Sequence, residues 1–194
     1  MKSLKIVLAA TAIALVSTPV SAQIGPDSHQ FIDAVQKRDG DKATQLLTDH
    51  PTIINAKDGN GDTGLTIAIR NGDSDWTGFL LQKGADPNLG GAHGDTPLIT
   101  AARVGFDQAA DWLLGLGAEV DETNKAGETP LIVAVQQHDI RLVRLLLDHG
   151  ADPDHTDAAA GYSARDYAAR DPHSRDILQL LNQKKPKASK AAVK

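Results

Sequence analysis

Two clusters of side chains have the types and spacing that metal chemistry needs. Asp58-Gly59-Asn60-Gly61-Asp62 opens like a calcium loop, with oxygen donors at alternate positions. Such a loop needs glycine at its sixth place and a bidentate glutamate at its twelfth. Thr63 and Ile69 stand there instead. The stretch is read as a fingertip turn built from turn-forming residues. The second cluster is His149, Asp152, Asp154, His155 and Asp157. His149 precedes a glycine that ends a helix, and the acids after it point in different directions. Turn chemistry with solvated charges is therefore the reading, and no metal or cofactor is assigned. His29, His50, His93, His138 and His173 stand at unrelated positions. The chain has no Gly-x-Ser-x-Gly, P-loop or His-Glu-x-x-His motif. It has no cysteine, which excludes disulfides, thiol catalysis, Cys-ligated zinc and iron–sulfur clusters. No catalytic residue is assigned, and the protein is expected not to be an enzyme.

The elements that would position any site must be built from unusual material. Of 194 residues, 41% are hydrophobic but only 4% aromatic. Seven aromatics (Phe31, Trp76, Phe79, Phe106, Trp112, Tyr162, Tyr167) are too few for a large aromatic-anchored core. The net charge of −5 argues against nucleic acid as a partner.

The N-terminus reads as a secretory signal. Lys2 and Lys5 precede an apolar run from Ile6 to Val16, then Thr18-Pro19, then Val20-Ser21-Ala22. Cleavage is expected between Ala22 and Gln23. The run is well short of the roughly 20 residues that span a bilayer, so no stable membrane insertion is expected after processing. The pattern looks bacterial and points to the periplasm. Removing the two signal lysines takes the charge to −7. Residues 182–194 hold five lysines (Lys184, Lys185, Lys187, Lys190, Lys194) and no acid. Residues 23–181 therefore carry −12. The lysine tail has no apolar face and is expected to be disordered. It is read as a solubilising tail; contact with an anionic membrane or cell-wall polymer, or folding back on the acidic body, stays open.

The body repeats itself. Thr63, Thr96 and Thr129 are 33 apart, as are Leu65, Leu98 and Leu131, and Ala68, Ala101 and Ala134. Leu80-Leu81, Leu113-Leu114 and Leu146-Leu147 follow in phase, then Gly84-Ala85-Asp86, Gly117-Ala118-Glu119 and Gly150-Ala151-Asp152. A period of this size means stacked supersecondary units. The residues resemble the ankyrin repeat, whose T-P-L-x-x-A and L-L-x-x-G-A-D signatures they carry. Weaker copies flank the three good ones, around Phe31 to Leu47 and around Gly161 to Leu181. The resemblance implies an all-α repeat solenoid of helix-turn-helix units with β-hairpin fingers and about five repeats. The approximate organisation is a cleaved signal peptide at 1–22, a short lead at 23–27, the repeat domain at 28–181 and the tail at 182–194. Repeats fall near 28–57, 58–90, 91–123, 124–157 and 158–181.

Each unit has its own punctuation. Thr96 stands at an N-cap position and Pro97 at the first helical residue, where a missing N–H costs nothing. Leu98, Ala101 and Ala102 form an inner face, Gly105 ends the helix, and Ala109, Trp112 and Leu113 begin a second one that Gly117 closes. Small alanines let helices approach closely. Three departures mark expected weak points. Gly64 replaces the proline of the signature. Gly90-Gly91-Ala92-His93 lacks the Asp or Asn kept at Asp58 and Asn124, so this finger is expected to be the most mobile. The run Asp157 to Ala160 holds one extra residue and is expected to bulge.

The resemblance also implies where a partner lies: a concave groove between fingertips and the exposed side of the first helices. Its fingertip row includes Asp62, His93, Asp95, Lys125 and Glu128. Its helix row includes Arg70, Arg103, Gln136 and Arg170, with Asn71, Val104 and Gln137 beside them. An acidic rim would then stand next to a ladder with arginine in three of its five places, and arginine is enriched at interface hot spots. Tyr162 stands where other units carry an acid, and is read either as an exposed anchor or as packing at the cap. Trp76 and Trp112 are read as packing residues.

The reading for function is a protein-binding module of the periplasm, an adaptor or helper connected with envelope or oxidative-stress protection. A chain with no cysteine and only the initiator Met would itself resist oxidation. The alternative is an inhibitor or immunity-type protein that blocks a partner enzyme. A metal protein or enzyme built on His149 and its neighbours comes last. A protein partner and a monomeric state are expected.

Overall fold

The computed structural model describes residues 25–183. The expected signal peptide, the Ala22–Gln23 junction and all five tail lysines lie outside them. Ten α-helices form among the described residues: α1 (Pro26–Lys37), α2 (Gly40–Asp49), α3 (Gly64–Arg70), α4 (Ser74–Gln82), α5 (Pro97–Val104), α6 (Asp107–Gly115), α7 (Pro130–Gln136), α8 (Ile140–Asp148), α9 (Ala164–Arg170) and α10 (Arg175–Gln183). Each odd-numbered helix packs on the even-numbered helix that follows. The odd helices also stack on one another from α1 to α9, and α4, α6, α8 and α10 form a second row. The result is an all-α solenoid in two layers. α10 takes in Asn182 and Gln183, so the helix runs two residues past the expected start of the tail.

The first helix of a unit starts where a hydroxyl can cap it. Thr63, Thr96, Thr129 and Ser163 each accept a bond from the N–H three residues on, at 3.1–3.2 Å. Pro97 and Pro130 take the first helical position. The second helix is capped by aspartate: Asp39, Asp73 and Asp139 cap α2, α4 and α8. Gly72 and Gly105 turn the chain between the two helices with φ of +66° and +69°. Arg38 and His138 take the same left-handed conformation with a side chain, at φ +58°. That costs each about 1 kcal/mol.

The core matches the composition. Leu65, Leu98, Leu131, Leu80, Leu113 and Leu146 are fully buried, with Ala101, Ala102, Ala109, Ala110, Ala134 and Ala168 between them. Phe31 is the one aromatic among the largest fully buried side chains. Trp76 is buried and meets Phe79 edge-on at 5.2 Å. Trp112 lies over Gly78, where an added Cβ would sit 3.7 Å from its ring. Both tryptophans are packing residues.

Three local expectations change. Gly64 is not a loose helix start: a Cβ there would come within 3.3 Å of Val35 Cγ2, and Thr63 and Thr66 close a reciprocal capping box beside it. Close packing on α1 takes the place of proline. The finger at Gly90–Asp95 is tied on both sides. Lys57 Nζ donates to the Gly90 carbonyl at 2.6 Å, Ala92 N–H to Asp62 at 2.9 Å, and Lys125 N–H to the His93 carbonyl at 3.3 Å. The fingers are not paired strands among the described residues. Two isolated bridges, Lys57–Thr63 and Thr156–Ser163, are all the β-pairing they show. Side chains close these turns instead. Asp58 Oδ1 accepts from Asn60 and Asp62 N–H, and Asn124 Oδ1 from Ala126 and Glu128 N–H. Asp157 Oδ1 accepts from Ala160 and Gly161 N–H, which absorbs the extra residue.

A second ladder joins neighbouring units on the opposite loops. Asn55, Asn88 and Asp121 each accept a bond from the N–H 31 residues on, at Asp86, Glu119 and Asp152, at 2.8–2.9 Å. At the C-terminal end Arg165 takes over, binding Asp154, the Leu181 carbonyl and Asn182.

Candidate protein-binding groove

A groove of about 1120 Å³ runs along the fingers. Asn60, Asp62, Arg70, Ala92, His93, Asp95, Arg103, Asn124, Lys125, Ala126 and Glu128 line it. Seven residues assigned from sequence meet here: Asp62, Arg70, His93, Asp95, Arg103, Lys125 and Glu128. The rest of that set lies elsewhere. Asn71 lines a separate pocket with Gln36 and Arg38, and Gln136 lines another with His138 and Tyr167. Val104 and Gln137 are exposed outside the groove. Arg170 stacks on Tyr162, with its guanidinium carbon 3.9 Å from the ring centroid.

The acidic rim and the arginine ladder are one structure. Arg70 and Arg103 each lie eight residues past a fingertip acid, which brings them back across the helix start. Arg70 Nη1 and Nη2 fork onto Asp62 Oδ2 and Oδ1, both at 2.7 Å. Arg103 Nε and Nη2 grip Asp95 at 3.0 and 3.2 Å, and Nη2 reaches Glu128 of the next finger at 3.2 Å. The fifth unit keeps the register with a different pair, Tyr162 and Arg170. Its finger is locked by a 2.5 Å bond from Tyr167 Oη to Asp157 Oδ2 and an edge-on contact between Tyr162 and Tyr167 at 5.6 Å. Tyr162 is thus half-buried packing as much as surface.

Asn124 links the units and was not among the residues assigned to the site from sequence. It is buried, and its Nδ2 donates to Asp95 and Glu128 at 2.8 Å each. Its phase with Asp58 and Asp157 marks it as a turn residue; nothing in a single sequence shows that its amide also bridges two fingers.

These contacts set the charges. The hydrogen bonds from Arg70 outweigh burial and hold the Asp62 carboxyl below the usual carboxylate range; Asp62 in turn raises Arg70. Burial pushes Arg103 down, but Asp95 and Glu128 more than reverse it, so its pKa is raised. The acids are turned inward: the Asp62, Asp95 and Glu128 side chains are 4, 16 and 19% exposed, against 48% for Arg70 and 41% for Arg103.

Most acids of the two clusters considered for metal binding carry other bonds. Asp58 closes its own turn and Asp62 belongs to Arg70. Asp154 pairs with Arg165, Asp157 with Tyr167, and Asp152 Oδ1 accepts from Asp154 N–H. Among the described residues, no three His, Asp or Glu side chains gather as a metal site. No helix among them is long and apolar enough to cross a membrane.

The family model for ankyrin repeats (three copies) matches residues 31–124 and 101–191, most of the chain. The chain belongs to the ankyrin-repeat family. No curated protein gives a significant match. Ankyrin repeats are protein–protein interaction modules, generally without enzymatic activity.

Proposed function

We propose that this chain is a non-enzymatic module of five stacked units, exported to the bacterial periplasm, that binds a partner protein along its finger groove. The observation that carries the reading is the groove itself, long enough to run over three units and fixed before any partner arrives. Its guanidinium groups are held by forks and its fingers by side-chain bonds, so little ordering is left for binding to supply. Export rests on the order of charge, apolar run and small residues at the N-terminus. Within that compartment the chain would serve as an adaptor or helper in envelope or oxidative-stress protection.

Ala126 lines the groove with a small side chain. Pull-down from periplasmic extract with the wild type should return a partner that Ala126→Arg loses. The same partner recovered equally by both would remove the groove from the account. Export is tested separately: mass spectrometry should find Gln23, free or cyclised, as the mature N-terminus, and an intact Met1 would contradict it.

A further inference from the structure

We propose that the groove selects a partner segment carrying side-chain carboxylates, an acidic peptide stretch set among neutral or basic residues. This rests on the groove being the binding site. The groove leaves hydrogen-bonding capacity unused, and it does so mainly on one side. On the acid side, capacity is largely spent. Asp62 accepts from Arg70, Ala92 N–H and Thr66. Asp95 accepts from Arg103 through both oxygens and from Asn124, while Glu128 accepts from Arg103 and Asn124 through Oε2 and leaves Oε1 over. On the cation side, donors remain. Arg103 uses Nε and Nη2, so Nη1 keeps two N–H groups. Arg70 spends one N–H on each Nη and keeps Nε. Lys125 is exposed, and its ammonium has no partner among the described residues. His93 is held out at the fingertip by a left-handed backbone. The groove is therefore donor-rich where it meets solvent, although its formal charges balance. A carboxylate satisfies these donors with two lone-pair-rich oxygens, and guanidinium geometry suits it. The −12 body sets the limit on such a ligand. It repels an extended polyanion, so nucleic acid is disfavoured and isolated carboxylates are preferred.

The test uses the mature protein, isotopically labelled, and two short acetylated and amidated peptides. One carries two glutamates among neutral residues; the other has glutamine in their place. The glutamate peptide should shift amide resonances around Ala92–Asp95 and Lys125–Ala126 saturably, and the glutamine peptide should not. Lys125→Gln leaves every hydrogen bond named above in place and should weaken the glutamate peptide about fivefold. Added salt should weaken it further. Equal shifts from both peptides would overturn the carboxylate preference while leaving the groove as a binding site. Failure of the glutamate peptide to shift groove amides, or an unchanged affinity in Lys125→Gln, would also overturn it. Whether the groove binds any partner is decided independently by the Ala126→Arg pull-down.

Discussion

Asp62 Oδ1 lies 2.5 Å from where a Cβ on Gly91 would stand. The two residues belong to neighbouring fingers. Gly91 occupies the place that Asp58, Asn124 and Asp157 hold in the other units, where a side chain closes the turn. Here backbone bonds close the turn, Gly94 N–H to the Gly91 carbonyl and Asp95 N–H to that of Ala92, and Asp62 of the preceding finger, held by Arg70, anchors it by accepting the Ala92 N–H. The irregular finger is thus built around its neighbour's carboxylate.

Restoring the family residue should therefore do harm. Gly91→Asp drives a side chain into Asp62 and Thr66, with Thr66 Oγ1 only 2.9 Å from the new Cβ. We expect a loss of about 1–3 kcal/mol in chemical denaturation, the usual cost of overpacking. Stability equal to or above wild type would show that the finger can rearrange.

Asp62 should make stability depend on acid. Its carboxyl is held below the ordinary value near 3.9 by Arg70. The stabilisation is therefore complete above that ordinary value and is lost as pH falls through the lowered one. Asp62→Asn should cost about 1–2 kcal/mol at neutral pH. The gap to wild type should narrow as urea unfolding is repeated toward pH 3. A gap that stays constant in acid would remove the ion pair from the explanation.

Tyr167 gives the opposite sign. Its bond to Asp157, helped by burial, pushes the phenol up to about 12. The contribution is present below the unfolded value near 10 and lost as pH rises through 12. Spectrophotometric titration should show one tyrosine ionising late, and Tyr167→Phe should remove it. The variant should lose about 1–2 kcal/mol, because Asp157 keeps its backbone donors. A Tyr167 phenol that ionises near 10 would contradict the contact.

One substitution should stabilise. Burial, together with the charge of Asp139, raises the Asp107 carboxyl. Its ionised form is disfavoured in the fold, so the penalty grows above the ordinary carboxylate value. Asp107→Asn removes it, and should raise Tm at pH 7 by a degree or two. The Arg141 contact it gives up is 3.3 Å long with Arg141 84% exposed, worth little. A lowered Tm would mean that contact matters more than the repulsion.

The solenoid was legible because periodic residues do local work. Thr96 caps, Pro97 starts, Gly105 turns and Leu98 packs, and each signal acts within a few positions of itself. The groove was half legible. Resemblance located the rows containing Asp62 and Arg70 but treated them as two surfaces facing a partner. Their pairing depends on a spacing of eight residues across a turn and a helix, which no helical or strand period encodes. Gly64 and Gly91 misled for a related reason. Read alone, a glycine signals freedom; Val35 and Asp62, from neighbouring units, fill the space a Cβ would need. Asn124 as a bridge was hidden because its partners Asp95 and Glu128 lie on two different fingers.

Site-specific photo-crosslinking tests the groove most directly. A photoreactive residue at Lys125, exposed in the groove, is compared with one at Arg144, exposed on α8. After irradiation in cells, the Lys125 position should yield a discrete protein adduct that the Arg144 position does not. Adducts of the same mass from both positions, or from Arg144 alone, would place binding outside the groove.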